Sequence, residues 1–401
     1  MSKVITGEAD VVQLRRDIGI QLRRRVLEAI EIVLEEELTA ALGSSRYERS
    51  SIRQGYRNGV EPRRITTAVG TQPVRVPRGR IFDADGQSRE FRSEILPRYA
   101  RRTREVDDAI LGVYLAGGNS RRIRTALKPL LGSENLSKSS VSRIVVRLKT
   151  YFAAWRERDL NDEVYAILYL DGFHLKVRMA RRVVSVPVLA VLGVAENGSK
   201  RLVALQIAIS EASGHWSSLI ADLQKRGLRA PCLIVSDGHA GLRKAIQSWP
   251  GIKIQRCAQH KWTNLSDNCP AHARREMHRD YRRIVNARNG MAARKAYKAF
   301  LDKWSELCPP AARSLEEAGE QLLTFYEFPK AMRRTLRTTN SLENLNREFR
   351  RRTKTQASFS SEDAAVTLLY GLVAFGQIRL RKVDGHHAVA GLLAHAAEAA
   401  A

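Results

Sequence analysis

The chain has 401 residues, 44% of them hydrophobic, which allows several domains with apolar cores and excludes a disordered chain. It carries 68 Lys and Arg against 42 Asp and Glu, a net charge of +26. This charge favours a polyanionic partner, with nucleic acid ahead of an anionic membrane surface. The longest nearly apolar run, residues 183–195, is too short to span a bilayer and contains Pro187.

The N-terminus lacks the apolar core of a secretion signal, and four cysteines do not suggest a disulfide scaffold. We therefore expect a cytoplasmic protein. The first predicted element is a helix over residues 11–43, which Gly43 ends. The apolar residues at helical spacing in it are Val26, Ile30, Val33 and Leu34.

Residues 44–105 are rich in Arg, Gly and Ser and contain one alternating strand candidate, QPVRVPR. They are either a solvated basic loop or a DNA-binding arm in which Tyr47 and Tyr56 contact the nucleic acid. The density of arginine favours the arm. Its candidate DNA contacts are Arg53, Arg57, Arg63, Arg64, Arg78 and Arg80.

Residues 105–158 predict a helix pair, and the second helix has one apolar face and one basic face. The apolar face consists of Val141, Ile144, Val145, Leu148, Phe152 and Trp155. The other side carries Lys138, Ser142, Arg143 and Arg147, and Ser139 or Ser140 is suited to cap the helix. The pattern suits a helix-turn-helix reader of the major groove, or else a plain helical linker.

From residue 163 the pattern predicts three strands, a helix, a strand and a helix, which describes an α/β domain. The helix HWSSLIADLQKRG places Trp216, Leu219, Ile220 and Leu223 on one face. Residues 256–335 are predicted to be mostly helical, with a break at Cys-Pro-Pro 308–310. The tail from residue 385 is rich in His and Ala and predicts a frayed helix.

Asp171 and Asp237 each end an apolar strand and precede a glycine. Sites in α/β sheets gather at the carboxyl ends of strands, so neighbouring strands would bring these carboxylates together. Two adjacent carboxylates repel unless a cation lies between them, and Mg²⁺ is suited to that position. The alternative is that each Asp only starts a turn.

A third acid, Glu343, lies among basic residues in RTTNSLENLNREFRRRTK. Those basic residues are Arg337, Arg347, Arg350, Arg351, Arg352 and Lys354. Leu342, Leu345 and Phe349 share one helical face, and Glu343 lies beside it, where it is able to reach a shared metal. The alternative is a capping box of Asn340 with Glu343, which is structural. Glu348 points elsewhere on the helix.

Cys257, His260, Cys269 and His272 form C-x2-H-x8-C-x2-H, a set of zinc-ligand types. The gap of eight residues is shorter than in zinc fingers, so packing within helices is the favoured alternative. Three more histidines, His174, His215 and His239, lie near the acids in sequence, where they either donate hydrogen bonds to the acids or have no role.

Several stretches together resemble Mutator-type insertion-sequence transposases of bacteria. They are YLDGFHLKVR, LIVSDGHAGL, QRCAQHKWTNL and RTTNSLENLNREFRRRTK, with ERSSIRQGYRNG, VPRGR and GNSRRIR…LSKSSVSRI before them. The resemblance covers roughly residues 45–385. It implies a ribonuclease-H-like catalytic domain with an Asp-Asp-Glu triad and an all-helical insertion between the second Asp and the Glu.

Transferred residue by residue, the family triad falls on Asp171, Asp237 and Glu343, which would hold two Mg²⁺ ions, with Mn²⁺ as a substitute. The family's Cys-x-x-His element falls on Cys257 and His260, and a basic family position on Lys176. Cys269 and His272 are not part of the family pattern, which weakens the zinc interpretation.

The resemblance implies a transposase that cleaves and joins double-stranded DNA at its own terminal inverted repeats and at a target. It also implies a homo-oligomer, at least a dimer, and points to a copy-out route through a circular intermediate. The rivals are a ribonuclease-H-like nuclease or resolvase and a non-catalytic DNA-binding regulator derived from a transposase. The expected organisation is a basic region (1–104), a helix-turn-helix-like domain (105–158), a catalytic domain in two parts (159–245 and 336–385), a helical insertion (246–335) and a tail (386–401).

Overall fold

The computed structural model describes residues 8–83, 85–117, 120–128, 138–179, 181–208, 213–249, 251–354, 359 and 361–400. The chain divides into two compact units. The first contains residues 1–114 and 118–145, and the second contains residues 115–117 and 146–401.

The helices are α1 (Glu8–Leu42), α2 (Arg104–Leu115), α3 (Ser120–Ala126), α4 (Lys138–Glu157), α5 (Ser213–Lys225), α6 (Ala240–Ile246), α7 (Ala258–Asp267), α8 (Arg274–Val285), α9 (Gly290–Leu307), α10 (Pro309–Ala318), α11 (Arg333–Leu336), α12 (Asn340–Thr353), α13 (Glu362–Ala374) and α14 (Val389–Ala400). The strands are β1 (Gly55–Thr67), β2 (Gly70–Phe82), β3 (Ser88–Glu90), β4 (Tyr165–Met179), β5 (Arg182–Ala195), β6 (Lys200–Ile207), β7 (Leu233–Ser236) and β8 (Lys253–Arg256). Short 3₁₀ turns cover Gly319–Leu322, Thr324–Glu327 and His386–Ala388.

In the first unit, α1 packs on a three-stranded antiparallel sheet with the order β1-β2-β3. The core of this unit is formed by Leu34, Ile65, Val74, Val76 and Leu96. The predicted N-terminal helix is confirmed, and Gly43 follows its end with a φ of +63° that favours glycine. Val33 was expected on the apolar face but is exposed, because it lies about 100° around the helix from the buried Leu34.

The strand candidate QPVRVPR is confirmed as part of β2, where Val74 and Val76 are buried and Arg75 between them is exposed. The basic segment is therefore largely an ordered sheet and not a solvated loop. Because side chains alternate along a strand, the apolar residues face α1 while many arginines face away from the core.

Helix α4 begins at Lys138, so Ser139 and Ser140 lie inside it and the predicted cap is wrong. Its predicted apolar face includes the buried residues Val141, Ile144, Leu148 and Phe152. The preceding turn, with Gly132, lies outside the described residues.

The second unit contains a five-stranded sheet with the order β6-β5-β4-β7-β8. Strand β5 runs antiparallel to β4 and β6, while β7 runs parallel to β4 and β8. The predicted order of three strands, a helix, a strand and a helix matches β4 through α6. The four apolar residues expected on the face of α5 are all buried in the core of this sheet.

Two details of the predicted catalytic region are wrong. Asp171 does not end a strand, because β4 continues to Met179 against β5. Residues 246–335 are not all helical either, because β8 lies within them and extends the sheet beside β7. Between β8 and α12 the chain forms helices α7–α11, and Pro309 begins α10 at a position where its missing N–H costs nothing. None of the helices within the described ranges combines the length and apolar content that a bilayer crossing requires.

Candidate active site

Asp171 and Asp237 come next to each other at the point where β4 and β7 cease to pair. The last paired residues of these parallel strands are Leu170 and Ser236, and each aspartate is the next residue in its chain. Neighbouring strands lie about 4.8 Å apart, so the two aspartates are in adjacent positions on the sheet. Cys257 follows Arg256, the partner of Ser236 on β8, and occupies the third position of this row.

Asp237 also belongs to the turn that starts α6. Its Oδ1 accepts a hydrogen bond from the His239 N–H at 2.9 Å, and the His239 ring caps α6 by accepting from Gly241 N. Gly238 has a φ of +79°, and a Cβ there would lie 1.7 Å from Nε of Arg256. Glycine after Asp237 is thus required by the turn and by the arginine packed against it.

Helix α12 carries Glu343, and the cap of this helix differs from the predicted one. Asn340 is the first helical residue and Thr339 is the N-cap, so the capping box of Asn340 with Glu343 does not form. Instead, the Thr339 hydroxyl donates to Glu343 Oε1 at 3.1 Å. The carboxylate is held at the start of the helix by a residue outside the predicted set.

The inner face of α12 packs on β4 beside Asp171. The predicted apolar residues Leu342, Leu345 and Phe349 are buried, and the Phe349 ring stacks on Phe173 with 6.1 Å between centroids. On the same face, Asn346 Nδ2 donates to Asp171 Oδ2 at 3.2 Å. These two contacts place the helix that carries Glu343 next to the first aspartate.

A cavity of about 830 Å³ opens at this place and brings Asp171 and Glu343 to one surface. Four cationic side chains also line it, namely Arg347, Arg350 and Arg351 of α12 and Lys354 at its C-cap. They follow Glu343 by four, seven, eight and eleven residues, which places them on the same side of the helix. Asp171 is only 6% exposed, and Asp237, beside it on the sheet, is not among the lining residues.

His260 lies between a thiol and the Glu343 carboxylate. Its Nε2 is 3.9 Å from Glu343 Oε1, and its ring hydrogen-bonds to the sulfur of Cys257. The bond to Cys257 is the main reason why the pKa of His260 rises to about 9, with the charges of Asp171 and Glu343 adding to it. Burial raises the pKa of the Cys257 thiol, but the hydrogen bonds from His260 and Thr339 outweigh burial and lower it below its ordinary value.

Cys257, His260 and Glu343 each offer one ligand atom within 4.8 Å of the others, the one such group found among the described residues. The thiol also accepts from Thr339 N at 3.4 Å, so hydrogen bonds hold Cys257 against His260 and Thr339, beside Glu343. Cys269 instead hydrogen-bonds to Cys308, and His272 is exposed. The four-ligand zinc set expected as one alternative is therefore not assembled.

The predicted DNA-binding residues of the first unit and of α4 fall into two groups. Arg57 pairs with Glu35 at 3.0 Å, and Arg63 donates to the carbonyl oxygens of Pro97 and Ala100, so both brace the unit itself. The exposed members of the predicted set are Arg53, Arg64, Arg78, Arg80, Ser142, Arg143 and Arg147. The Lys138 side chain lies outside the described part of the structure.

Three predicted basic residues of the second unit lie away from the cavity lining. Arg337 donates to Val285 O and Asn286 Oδ1, and Arg352 donates to Gln377 O. Lys176 is exposed on the face of β4 opposite Asp171, since five residues separate them and side chains alternate.

Thr339 and Asn346 contact the candidate carboxylates and were not predicted. Asn346 interrupts the apolar face formed by Leu342, Leu345 and Phe349. A polar side chain in a buried stripe requires a partner, and this signal was available in the sequence. Thr339 carries no comparable signal, because a threonine four residues before a glutamate is common and its other partners, Cys257 and His260, are distant in sequence.

A family model for Mutator-family transposases matches residues 7–377. The chain belongs to the Mutator family of transposases. It is 35% identical over 354 residues to the transposase for insertion sequence element IS406 of Burkholderia multivorans, covering 86% of this chain and 89% of the relative. It is 34% identical to the transposase for ISRM5 of Rhizobium meliloti, covering 88% and 86%. The transposase for IS256 in transposon Tn4001 of Staphylococcus aureus is 28% identical, covering 84% and 85%.

Proposed function

We propose that this transposase binds the terminal inverted repeats of its own insertion sequence and catalyses metal-dependent cleavage and transfer of DNA strands. The observation that carries the proposal is the cavity in which Asp171 and Glu343 share a surface with four cationic side chains of α12 and its C-cap. Carboxylates there are suited to a cation, and the cations are suited to the phosphates of a strand.

The catalytic domain is proposed to be ribonuclease-H-like, with Asp171, Asp237 and Glu343 as its triad. Support comes from a mixed sheet whose second strand is antiparallel between β6 and β4, and from α7–α11 inserted between β8 and α12. The register of β4 and β7 supports the pairing of the first two acids.

The donor set fits magnesium. Asp171 and Glu343 offer oxygen ligands in one cavity, Asp237 is adjacent on the sheet, and hard divalent cations take carboxylate, phosphate and water oxygens. The three acids would hold two Mg²⁺ ions, with Mn²⁺ as a substitute. When bound, such ions make water more acidic and stabilise the charge that develops on a leaving oxygen.

In this proposal some side chains of the cavity bind DNA phosphates and others orient the Glu343 carboxylate. Arg347, Arg350 and Lys354 hold backbone phosphates so that the scissile bond lies beside the carboxylates. Thr339 and His260 keep the Glu343 carboxylate in one orientation. A water molecule is the attacking group in cleavage, and the freed 3′-hydroxyl is the attacking group in strand transfer.

Binding of the inverted repeats is assigned to exposed basic residues of the first unit and to exposed polar and basic residues of α4. Ser142, Arg143 and Arg147 project from α4 on the side opposite its buried residues, as a helix in a major groove requires. The exposed arginines of β1 and β2 would add phosphate contacts. Joining two ends requires at least a dimer.

The test is incubation of the purified protein with a labelled duplex of its own element's end, with and without Mg²⁺. We expect Mg²⁺-dependent nicking at the element boundary, and no nicking of a scrambled duplex of equal length. Binding without cleavage at any metal concentration would indicate a DNA-binding regulator. Cleavage of branched DNA regardless of sequence would indicate a resolvase. Either result rejects the proposal.

A further inference from the structure

Asn346 occupies a position that packing alone does not explain. It lies on α12 three residues after Glu343, so the two side chains share a face of the helix. Its side chain is among those that line the cavity, yet the residue is only 3% exposed. Apolar residues Leu342 and Phe349 flank it along the helix.

The amide joins α12 to β4. Its Nδ2 donates to Asp171 Oδ2 at 3.2 Å, and the stacked rings of Phe349 and Phe173 join the same two elements one turn further on. This hydrogen bond joins the strand that carries Asp171 to the helix that carries Glu343, as does the one between Tyr169 of β4 and Ser341 of α12.

The oxygen of the Asn346 amide lacks a hydrogen bond. Asn346 Oδ1 is buried and has no hydrogen-bond partner among the described residues. A buried acceptor without a donor is costly, whereas an apolar side chain of the same shape carries no such cost. The unsatisfied oxygen thus offsets part of the stability that the bond from Nδ2 to Asp171 contributes, so stability alone is a weak reason for an amide here.

We propose that Asn346 is a positioning residue that fixes the Asp171 carboxylate relative to Glu343, so that the two acids are preset for a divalent cation. The inference rests on the proposed function of this cavity. A carboxylate on a strand rotates about its last side-chain bond, and one donor to Oδ2 selects one orientation. Partners that orient metal ligands typically change metal affinity about 10- to 100-fold.

The test compares Mn²⁺ binding by the full chain and by Asn346→Leu, measured from the free Mn²⁺ signal in electron paramagnetic resonance. We expect the variant to bind Mn²⁺ at least about tenfold more weakly. We expect its melting temperature to change little, because the loss of the donor to Asp171 and the removal of the unsatisfied oxygen have opposite effects on stability. If the amide only stabilised the fold, Asn346→Leu would melt at a lower temperature and would bind Mn²⁺ as tightly as the wild type.

Gln255→Leu is the matched control. Gln255 is also a buried amide, but its nitrogen donates to Leu322 O and its oxygen accepts from Phe325 N. We expect this variant to melt at a lower temperature and to bind Mn²⁺ as the wild type does. Mn²⁺ binding by Asn346→Ala is measured as well, because the smaller side chain allows folding if leucine is too bulky for the position.

A folded Asn346 variant with wild-type Mn²⁺ affinity overturns the inference. Asp171→Asn separates this failure from a failure of the proposed function. If the wild type binds Mn²⁺ no better than Asp171→Asn, the metal site itself is rejected, and the inference falls with it. If Asp171→Asn loses binding while the Asn346 variants keep it, only the positioning role is rejected.

Discussion

Two glutamates on α12, five residues apart, have different surroundings. Glu343 lines the cavity, accepts from the Thr339 hydroxyl and lies 3.9 Å from His260. Glu348 pairs with Arg351 at 2.7 Å and is not among the lining residues. The helical repeat separates them by about 140°, so a single helix presents one acid to the cavity and turns the other away.

Glu343→Gln is expected to reduce Mg²⁺-dependent cleavage by more than about a hundredfold, because changes to partners of metal ligands alone reach that size. Glu348→Gln keeps the same helix and removes the same charge, and we expect cleavage within about twofold of the wild type. Initial nicking rates on the end duplex measure both. Equal loss in the two variants would show that charge, and not position, is responsible.

The hydroxyl of Thr339 orients the Glu343 carboxylate in this proposal, and its removal tests that role. Replacement by Val preserves the shape and removes the hydroxyl that donates to Glu343. We expect about a tenfold loss of cleavage with end binding unchanged, since the carboxylate loses an orienting donor. Thr338→Val is the control, because Thr338 is buried next in sequence and has no bond to the acids. If Thr339→Val cleaved DNA at the wild-type rate, Thr339 would have no role in orienting Glu343.

A cluster of charged side chains joins the edge strand β8 to helices α7 and α10. Glu317 of α10 accepts from both terminal nitrogens of Arg256 on β8 and from Lys261 of α7, each at 3.0 Å. Arg256 and Lys261 are 3% and 2% exposed, while Glu317 is 40% exposed. Burial opposes ionisation of Glu317, but these hydrogen bonds outweigh it and lower its pKa from 4.5 to about 2.

Glu317→Gln should destabilise the protein at neutral pH, because it leaves two buried cations without their acid. We expect about 2 kcal/mol, less than the roughly 3–5 kcal/mol of a fully buried pair, since water reaches Glu317. The pKa of Glu317 is lowered on folding, so its contribution is complete above pH 4.5 and is lost as the pH falls towards 2.

Melting temperatures of the wild type and of Glu317→Gln between pH 7 and pH 3 measure this effect. The gap between them should be constant above about pH 4.5 and shrink below it. Glu327→Gln, which removes an exposed pair with Lys253, should show almost no gap. A gap that widens in acid would contradict the assigned role.

Hydrophobic pattern predicted most elements of the second unit but not how far each extends. The apolar face of α12 and the strand before Asp171 follow from spacing alone. Alternation also indicated a strand over residues 174–179, but the pattern placed a strand end at Asp171, whereas pairing with β5 makes the two segments one continuous strand. Strand β8, Lys253–Arg256, was missed because four residues carry little periodicity and its stability comes from β7.

The same limit applies to the site. Three acids were selected by their context and by family resemblance. Asn346 was missed because its partner Asp171 is far away in sequence, and the place of Thr339 beside Cys257 likewise depends on a distant segment. Arg57 and Arg63 show the converse, since composition marks them as DNA contacts and tertiary packing engages them inside the unit. Composition establishes the amount of positive charge, and only the fold decides where it faces.

For the whole molecule, a net charge of +26 predicts DNA binding that weakens steeply with salt. If Arg347 contacts one phosphate, Arg347→Ala should reduce the slope of log affinity against log salt by about 0.9. Arg294→Ala removes a cation that pairs with Glu320 and does not line the cavity, and its slope should match the wild type. Fluorescence anisotropy with end DNA at several salt concentrations measures both slopes. If the slope of Arg347→Ala equalled that of the wild type, Arg347 would not be a phosphate contact.

The central claim is that Asp171, Asp237 and Glu343 act on DNA as one metal-dependent centre. The most direct measurement is nicking of labelled end DNA by the wild type and by Asp237→Asn, with and without Mg²⁺, alongside binding of the same duplex. We predict nicking only by the wild type with Mg²⁺, and equal end binding by both proteins. Nicking by Asp237→Asn at a rate near that of the wild type would contradict the claim.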